Sequence, residues 1–192
     1  MIDLTPTTDR ARRVAAAIRD DQLDLTTPIQ QSVFQVLNHL LGLCVAFRDA
    51  AAKEDGPTTN TPPAPVTDPL PDGWRDLLDA RLVELAEAWQ SPDAWQGMTK
   101  AGGVDLPGDV CGLVALDEVL LHGWDLARAT GQEYDVTEAE SEAVLPVVTP
   151  EDHDPDGSSR TGLFGPVVPA GDSARPFDRT LALAGRDPGW TA

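Results

Sequence analysis

The sequence predicts a mainly all-α protein: a four-helix bundle with one long crossover connection, a small hairpin or irregular segment, and a loop-rich C-terminal tail. Three observations lead there. Four stretches set apolar residues at helical spacing, a proline-rich run separates the second from the third, and Pro, Gly and Asp crowd the chain beyond residue 150. The expected organisation is a single domain over residues 1–192, with 56–71 as the crossover and 150–192 as an extension packed on the bundle.

The first helix is expected from Pro6, a first-turn proline after Thr5, to Ile18, with Ala11, Val14, Ala15 and Ile18 as its apolar face. Ser32 can cap a second, ending near Ala51, whose buried stripe is Val33, Val36, Leu37, Leu40, Leu41, Cys44 and Phe47, with His39 beside it. From Gly56 to Pro71 six prolines, Pro57, Pro62, Pro63, Pro65, Pro69 and Pro71, argue for an extended path outside the bundle. A third helix carries Trp74, Leu77, Leu78, Leu82, Leu85, Ala88 and Trp89 on one face, with Arg75, Asp79, Glu84 and Glu87 outside, and stops at Pro92. WQGMTKAGGVDLPG reads as a small hairpin or irregular loop. The fourth helix runs from near Pro107 to Thr130, with Gly131 at a left-handed C-cap. Thr137 and Glu140 stand at capping-box spacing, so a short helix should run toward Leu145, limited by Pro146 and Pro150. Phe177 to Ala184 can form a last turn or two before Gly185. No internal repeat recurs at a fixed period.

Thirty-two acidic against fourteen basic residues give a net charge of −18, which speaks against nucleic acid and anionic membrane surfaces as partners. With neither a charged-then-apolar leader nor an apolar run of membrane-spanning length, the expected location is the cytoplasm. Cys44 and Cys111 sit in apolar helical context without a CxxC pair, so free buried thiols are expected. No GxSxG, phosphate-cradling loop or dinucleotide fingerprint is present, which leaves serine hydrolysis and nucleotide binding without support.

Chemistry concentrates in ALDEVLLHGWDLARATG, residues 115–131. At about 100° per residue, Glu118, His122 and Asp125 share one helix face among Val119, Leu121, Trp124 and Leu126. Glu118 and His122 at i and i+4 can offer two ligands to one cation; taken alone, such a pair is more often a hydrogen-bonded couple on a half-exposed face. His39, on another helix, completes two nitrogens and one carboxylate, the ligand set of an open zinc site. Asp125 can orient His122 or pair with Arg128 at i+3, the latter slightly favoured. Asp117, about 100° from Glu118, is expected in solvent. Trp124 can wall a pocket or fill the core, and His153, in the acidic EDHDPDG loop, is expected to be solvated.

The segments VLNHLLG, VALDEVLLHGWDLARATG, RTGLFGPVVP and DRTLALAGRDPGW together resemble the N-terminal domain of mycothiol-dependent maleylpyruvate isomerase and its short actinobacterial relatives, within the DinB-like metal-binding four-helix bundles. The resemblance spans nearly the whole chain. It implies a divalent metal, zinc first, held by His39, Glu118 and His122, and a low-molecular-weight thiol such as mycothiol as cosubstrate. Where relatives carry a Thr-Pro-Cys stretch, this chain has TTPIQQSVF with Ile29 at the Cys position, so access to the pocket is expected to differ. The isomerase also uses a C-terminal domain not expected here, so the resemblance implies thiol transfer to, or isomerisation of, a small electrophile rather than that one reaction. Arg160, Arg175 or Lys100 can bind a substrate acid group, and Asp125, Trp124, Arg128 and Arg160 are the candidates to support the ligands or line the pocket. The alternative is a non-catalytic metal-binding bundle that serves as a binding or sensing module. An enzyme needs a coordination position left open; a structural site is closed by a fourth protein ligand.

Overall fold

Helix α1 (Thr5–Ala17) has Pro6 in its first turn, where a missing N–H breaks no helical bond, and buries Thr7, Thr8, Ala11, Val14 and Ala15. The computed structural model describes residues 1–62, 68–160, 163–171 and 174–192. Helix α2 (Val33–Ala51) opens on a capping box in which Ser32 Oγ accepts from the Gln35 N–H and Gln35 Oε1 accepts from the Ser32 N–H. Its apolar stripe from Val33 to Phe47 is buried as the spacing predicts, with His39 on its half-buried flank.

The crossover is not wholly extended. Pro57–Asn60 forms one helical turn, α3, and Thr59 within it is fully buried, its hydroxyl donating to the Glu54 carbonyl at 3.0 Å. Proline is disfavoured in a helix interior but suits a first turn, and Pro57 stands there, so proline content alone does not exclude a single turn. Residues 63–67 of the expected external path lie outside the described residues. Where the chain returns, Asn38 of α2 donates to the Asp68 carbonyl at 2.7 Å.

Helix α4 (Trp74–Ala88) follows Gly73 in a left-handed conformation and buries Trp74, Leu78, Leu82, Leu85 and Ala86. Strands β1 (Met98–Ala101) and β2 (Val104–Pro107) form an antiparallel hairpin with Met98 opposite Pro107 and Ala101 opposite Val104. Gly102 and Gly103, at φ 59° and 80°, supply the two positive dihedrals of its tight turn. Helix α5 (Gly108–Thr130) ends on Gly131 at φ 71°. Helix α6 (Glu138–Val148) passes through Pro146 instead of ending at Leu145: the Thr149 N–H still reaches the Leu145 carbonyl at 2.9 Å, and Val148 is buried. Helix α7 (Pro176–Leu183) closes the fold.

Both α1 and α2 pack against both α4 and α5, so the four long helices enclose a common core that includes Leu37, Leu40, Leu82, Leu116 and Leu120. Helix α6 covers a further side of α5 and carries α7 on its own back. Among the described residues no helix is long and apolar enough to cross a membrane.

Two contacts hold α5 and α6 in place. Gly112 of α5 lies under two indoles: a Cβ there would stand 2.7 Å from Trp95 Cζ3 and 2.8 Å from Trp89 Cζ3. Glu140 both caps α6, accepting the Thr137 N–H and hydroxyl at 2.9 and 2.8 Å, and ties it to α1 by accepting from the Thr7 hydroxyl at 2.6 Å and the Arg10 guanidinium at 3.0 Å. Burial works to raise the Glu140 carboxyl, but Thr7, Thr137 and Arg10 together hold it below its ordinary 4.5.

Gly112→Ala is therefore expected to destabilise the protein, because overpacking costs about 1–3 kcal/mol and outweighs the roughly 1 kcal/mol of helix propensity that alanine adds. Denaturant unfolding checks this, and a stabilised variant would contradict the packing. The Glu140 network contributes fully above the unfolded value of 4.5 and is lost as pH falls through the lower folded value. Glu140→Gln should accordingly cost about 1.5–3 kcal/mol near neutral pH and progressively less as pH falls below 4.5, in urea melts over that range; a loss that does not change with pH would mean that charge plays no part.

Candidate metal centre

The i, i+4 spacing on α5 brings Glu118 and His122 together, and the packing of α2 on α5 adds His39. Glu118 Oε2 lies 3.1 Å from His122 Nε2 and 3.8 Å from His39 Nε2, and the three candidate ligand atoms all fall within 4.8 Å of one another. Donors about 2.0–2.2 Å from a common tetrahedral ion stand roughly 3.2–3.6 Å apart, so modest side-chain adjustment would seat one. The two imidazoles meet edge to face, centroids 5.1 Å apart and planes at 89°. Two neutral nitrogens and one carboxylate suit zinc and its neighbours, and among the described residues no fourth His, Cys, Asp or Glu joins the group.

The site is open on one side. The side chains of His39 and Glu118 are 25% and 27% exposed, whereas that of His122 is 11% exposed and faces inward. Burial works to raise the Glu118 carboxyl, but hydrogen bonds and charge from His122 and His39 hold it well below the usual carboxylate range. Burial likewise works to lower His122, and is overcome by Asp125 and Glu118, which raise it to about 9. Without a metal, a proton on His122 thus supplies the positive charge that this arrangement of carboxylates favours.

Asp125 does not pair with Arg128. It is fully buried, with Oδ2 3.1 Å from His122 Nδ1, and it accepts three hydrogen bonds from the Arg186 fork at 2.8–3.2 Å. Arg128 lies a turn further along, its guanidinium 6.0 Å from the Trp124 ring centroid and donating to the Trp190 carbonyl. Trp124 is 5% exposed and belongs to the core. Arg160 is not brought to the ligands: it donates to the Val148 and Leu183 carbonyls at 2.6 and 2.7 Å and so fastens the ends of α6 and α7. Arg175 pairs with Asp178 on the surface, and Lys100 lies on the hairpin facing Asp55 and Asp105. His153 is exposed beside Glu151.

Asp117 is buried, not in solvent, and its Oδ1 has no hydrogen-bond partner among the described residues. A helical wheel puts Asp117 in solvent only if its helix has a wet side, and α5, with α1, α2 and α6 packed on it, has almost none. Burial, reinforced by Glu118, pushes Asp117 up to about 8. Arg186, which no local spacing signals, is the charged residue that sequence reasoning missed; it reaches Asp125 across 61 positions of chain. Both cysteines are buried and free, and burial pushes Cys44 and Cys111 up to about 12 and 11, which leaves neither as a nucleophile at neutral pH.

Residues 4–127 match the family described as the mycothiol maleylpyruvate isomerase N-terminal domain. Among functionally curated proteins none matches the chain. Two solved structures share the fold. The crystal structure of the mycothiol-dependent maleylpyruvate isomerase superposes with a TM-score of 0.61 at 18% identity, covering 97% of this chain and 88% of that one. A histidine-to-alanine mutant of the mycothiol-dependent maleylpyruvate isomerase superposes with a TM-score of 0.54 at 20% identity, covering 83% of this chain and 70% of that one. At such identities the likeness speaks to fold alone. The family match includes His39, Glu118 and His122 and stops before α6 and Arg186.

Proposed function

The chain belongs to the mycothiol maleylpyruvate isomerase N-terminal domain family, and from that membership and the geometry of its ligand atoms we propose a metal-dependent enzyme that uses a small thiol, mycothiol-like, as cosubstrate. Its reaction is isomerisation of, or transfer of the thiol to, a small electrophile. The observation that carries this reading is the convergence of His39 Nε2, Glu118 Oε2 and His122 Nε2 beside a solvent-reached opening. In this reading these three atoms hold one divalent metal, zinc first, and residues 1–192 act as one domain whose C-terminal extension covers the inner side of the site.

A bound divalent metal supplies Lewis acidity that favours the thiolate form of a coordinated thiol at neutral pH. The chain's own share is to fix the three donors, keep the direction beside His39 and Glu118 accessible, and bury the far side of His122 against Asp125. The thiol has to come from outside, because the protein's own thiols are buried and held protonated. The competing reading is a metal-binding module without turnover. A fourth protein ligand would favour it, and none is found among the described residues.

Protein purified without a histidine tag is expected to take up one zinc per chain and, screened against small electrophiles, to turn one over only when mycothiol or a close analogue is added. His122→Ala should weaken zinc affinity by more than the ~10–100-fold typical of losing an outer partner, and abolish turnover, while circular dichroism shows the helices intact. Absence of zinc uptake by the wild type would reject the metal reading. Stoichiometric zinc without thiol-dependent turnover, together with a matching large stability loss from chelation and from His122→Ala, would assign the site to a structural module instead.

A further inference from the structure

The C-terminal segment reaches the centre through one side chain. After α7, Gly185 takes a left-handed conformation at φ 76° and lies so close to Gly165 that a Cβ would stand 2.6 Å from the Gly165 carbonyl carbon. Arg186 follows and turns inward, 5% exposed. Its Nε donates to Asp125 Oδ1 and Oδ2 at 3.0 and 3.2 Å, its Nη2 to Oδ2 at 2.8 Å, and its Nη1 to the Ala184 carbonyl at 3.3 Å. Asp125 in turn faces Nδ1 of His122 at 3.1 Å, while Nε2 of the same ring faces Glu118.

We propose that Arg186 is a positioning residue for His122: by gripping Asp125 in a fork it fixes the carboxylate that accepts the Nδ1 proton, and so reserves Nε2 for the metal. The inference rests on the metal reading given above. A neutral imidazole has two tautomers, and the hydrogen bond made by one nitrogen decides which nitrogen keeps a free lone pair. Asp125 performs that choice only while its own orientation is set. It is fully buried and its hydrogen-bond partners among the described residues are His122 and Arg186, so without Arg186 the carboxylate keeps one of these donors and is free to turn off the ring.

Arg186 could instead be a fastener for the chain's end, but that work is already done elsewhere. Arg160 ties Val148 to Leu183, and Arg128 holds the Trp190 carbonyl, in both cases without touching Asp125 or His122. Arg160 therefore provides a control that loosens the same segment without reaching the ligands.

Cobalt(II) titrated into metal-free full-length protein tests this, with affinity read by competition against a chromophoric chelator, the visible spectrum recorded, and thermal melts of the metal-free proteins run in parallel. Arg186→Met and Asp125→Asn are expected to weaken cobalt binding ~10–100-fold and to alter the ligand-field bands. Arg186→Lys, which restores the charge but not the fork, should recover part of the affinity. Arg160→Met should lower the melting temperature while affinity and spectrum stay at wild-type values. Should Arg186→Met fail to fold, Arg186→Lys and Asp125→Asn carry the comparison. Variants of Arg186 and Asp125 that melt lower yet bind cobalt as the wild type does, with the same spectrum, would overturn the proposal and leave Arg186 a fastener. Wild-type protein that binds no cobalt would instead reject the metal reading on which it stands.

Discussion

Helix α5 is enclosed on nearly every side while carrying four ionisable residues within nine positions, and this constraint shapes the structure around it. Each buried charge requires a partner or must be given up. Glu118 is met by two imidazoles, His122 by two carboxylates, and Asp125 by His122 and Arg186. Asp117 Oδ1 has no hydrogen-bond partner among the described residues, and its raised value marks a carboxyl driven toward the neutral form. The close packing that creates the problem needs small residues on the same helix: Gly112 admits Trp89 and Trp95, and a Cβ on Gly123, beside His122, would stand 2.3 Å from the Tyr134 hydroxyl.

Features decided within a few residues were legible in the sequence. The apolar stripes, the Ser32 cap, the Thr137 capping box and the Gly131 cap follow from local spacing and backbone preference, which left WQGMTKAGGVDLPG open between a hairpin and an irregular loop. Glu118 and His122 belong to the same class, since a helix brings i and i+4 together whatever surrounds it. His39 depended on two helices packing with the right faces, and the flank of the α2 stripe gave that only in outline.

What the sequence could not show is set by distant neighbours. A helical wheel assigns Asp117 to solvent because it assumes one wet side, and local spacing offers Asp125 only Arg128. Asp125 is met instead by Arg186, 61 positions along the chain, whose charge also reaches Asp117. Pro57 and Pro146 illustrate the reverse limit: proline restricts the backbone strongly, yet a first turn tolerates it, and a helix already held by a capped N-terminus and buried Val144 and Val148 can pass through it.

The tail's arginines bear on why the centre reaches so far along the chain. In a protein with 32 acidic and 14 basic residues, cations have ample carboxylates to meet at the surface, yet Arg186 is placed inside, and Arg160 and Arg128 point their donors at backbone carbonyls. Carbonyl clasps fasten chain without bringing a carboxylate into the interior. The Arg186–Asp125 pair does bring one in, and a buried ion pair commonly gives little net stability over an apolar contact of the same volume, because both charges must be stripped of water. Stability alone is therefore a weak reason for it, whereas orientation requires this kind of contact: a planar fork gripping both oxygens of one carboxylate fixes the direction of its lone pairs as a single hydrogen bond would not. The carboxylate so fixed is the one that faces the inward nitrogen of His122.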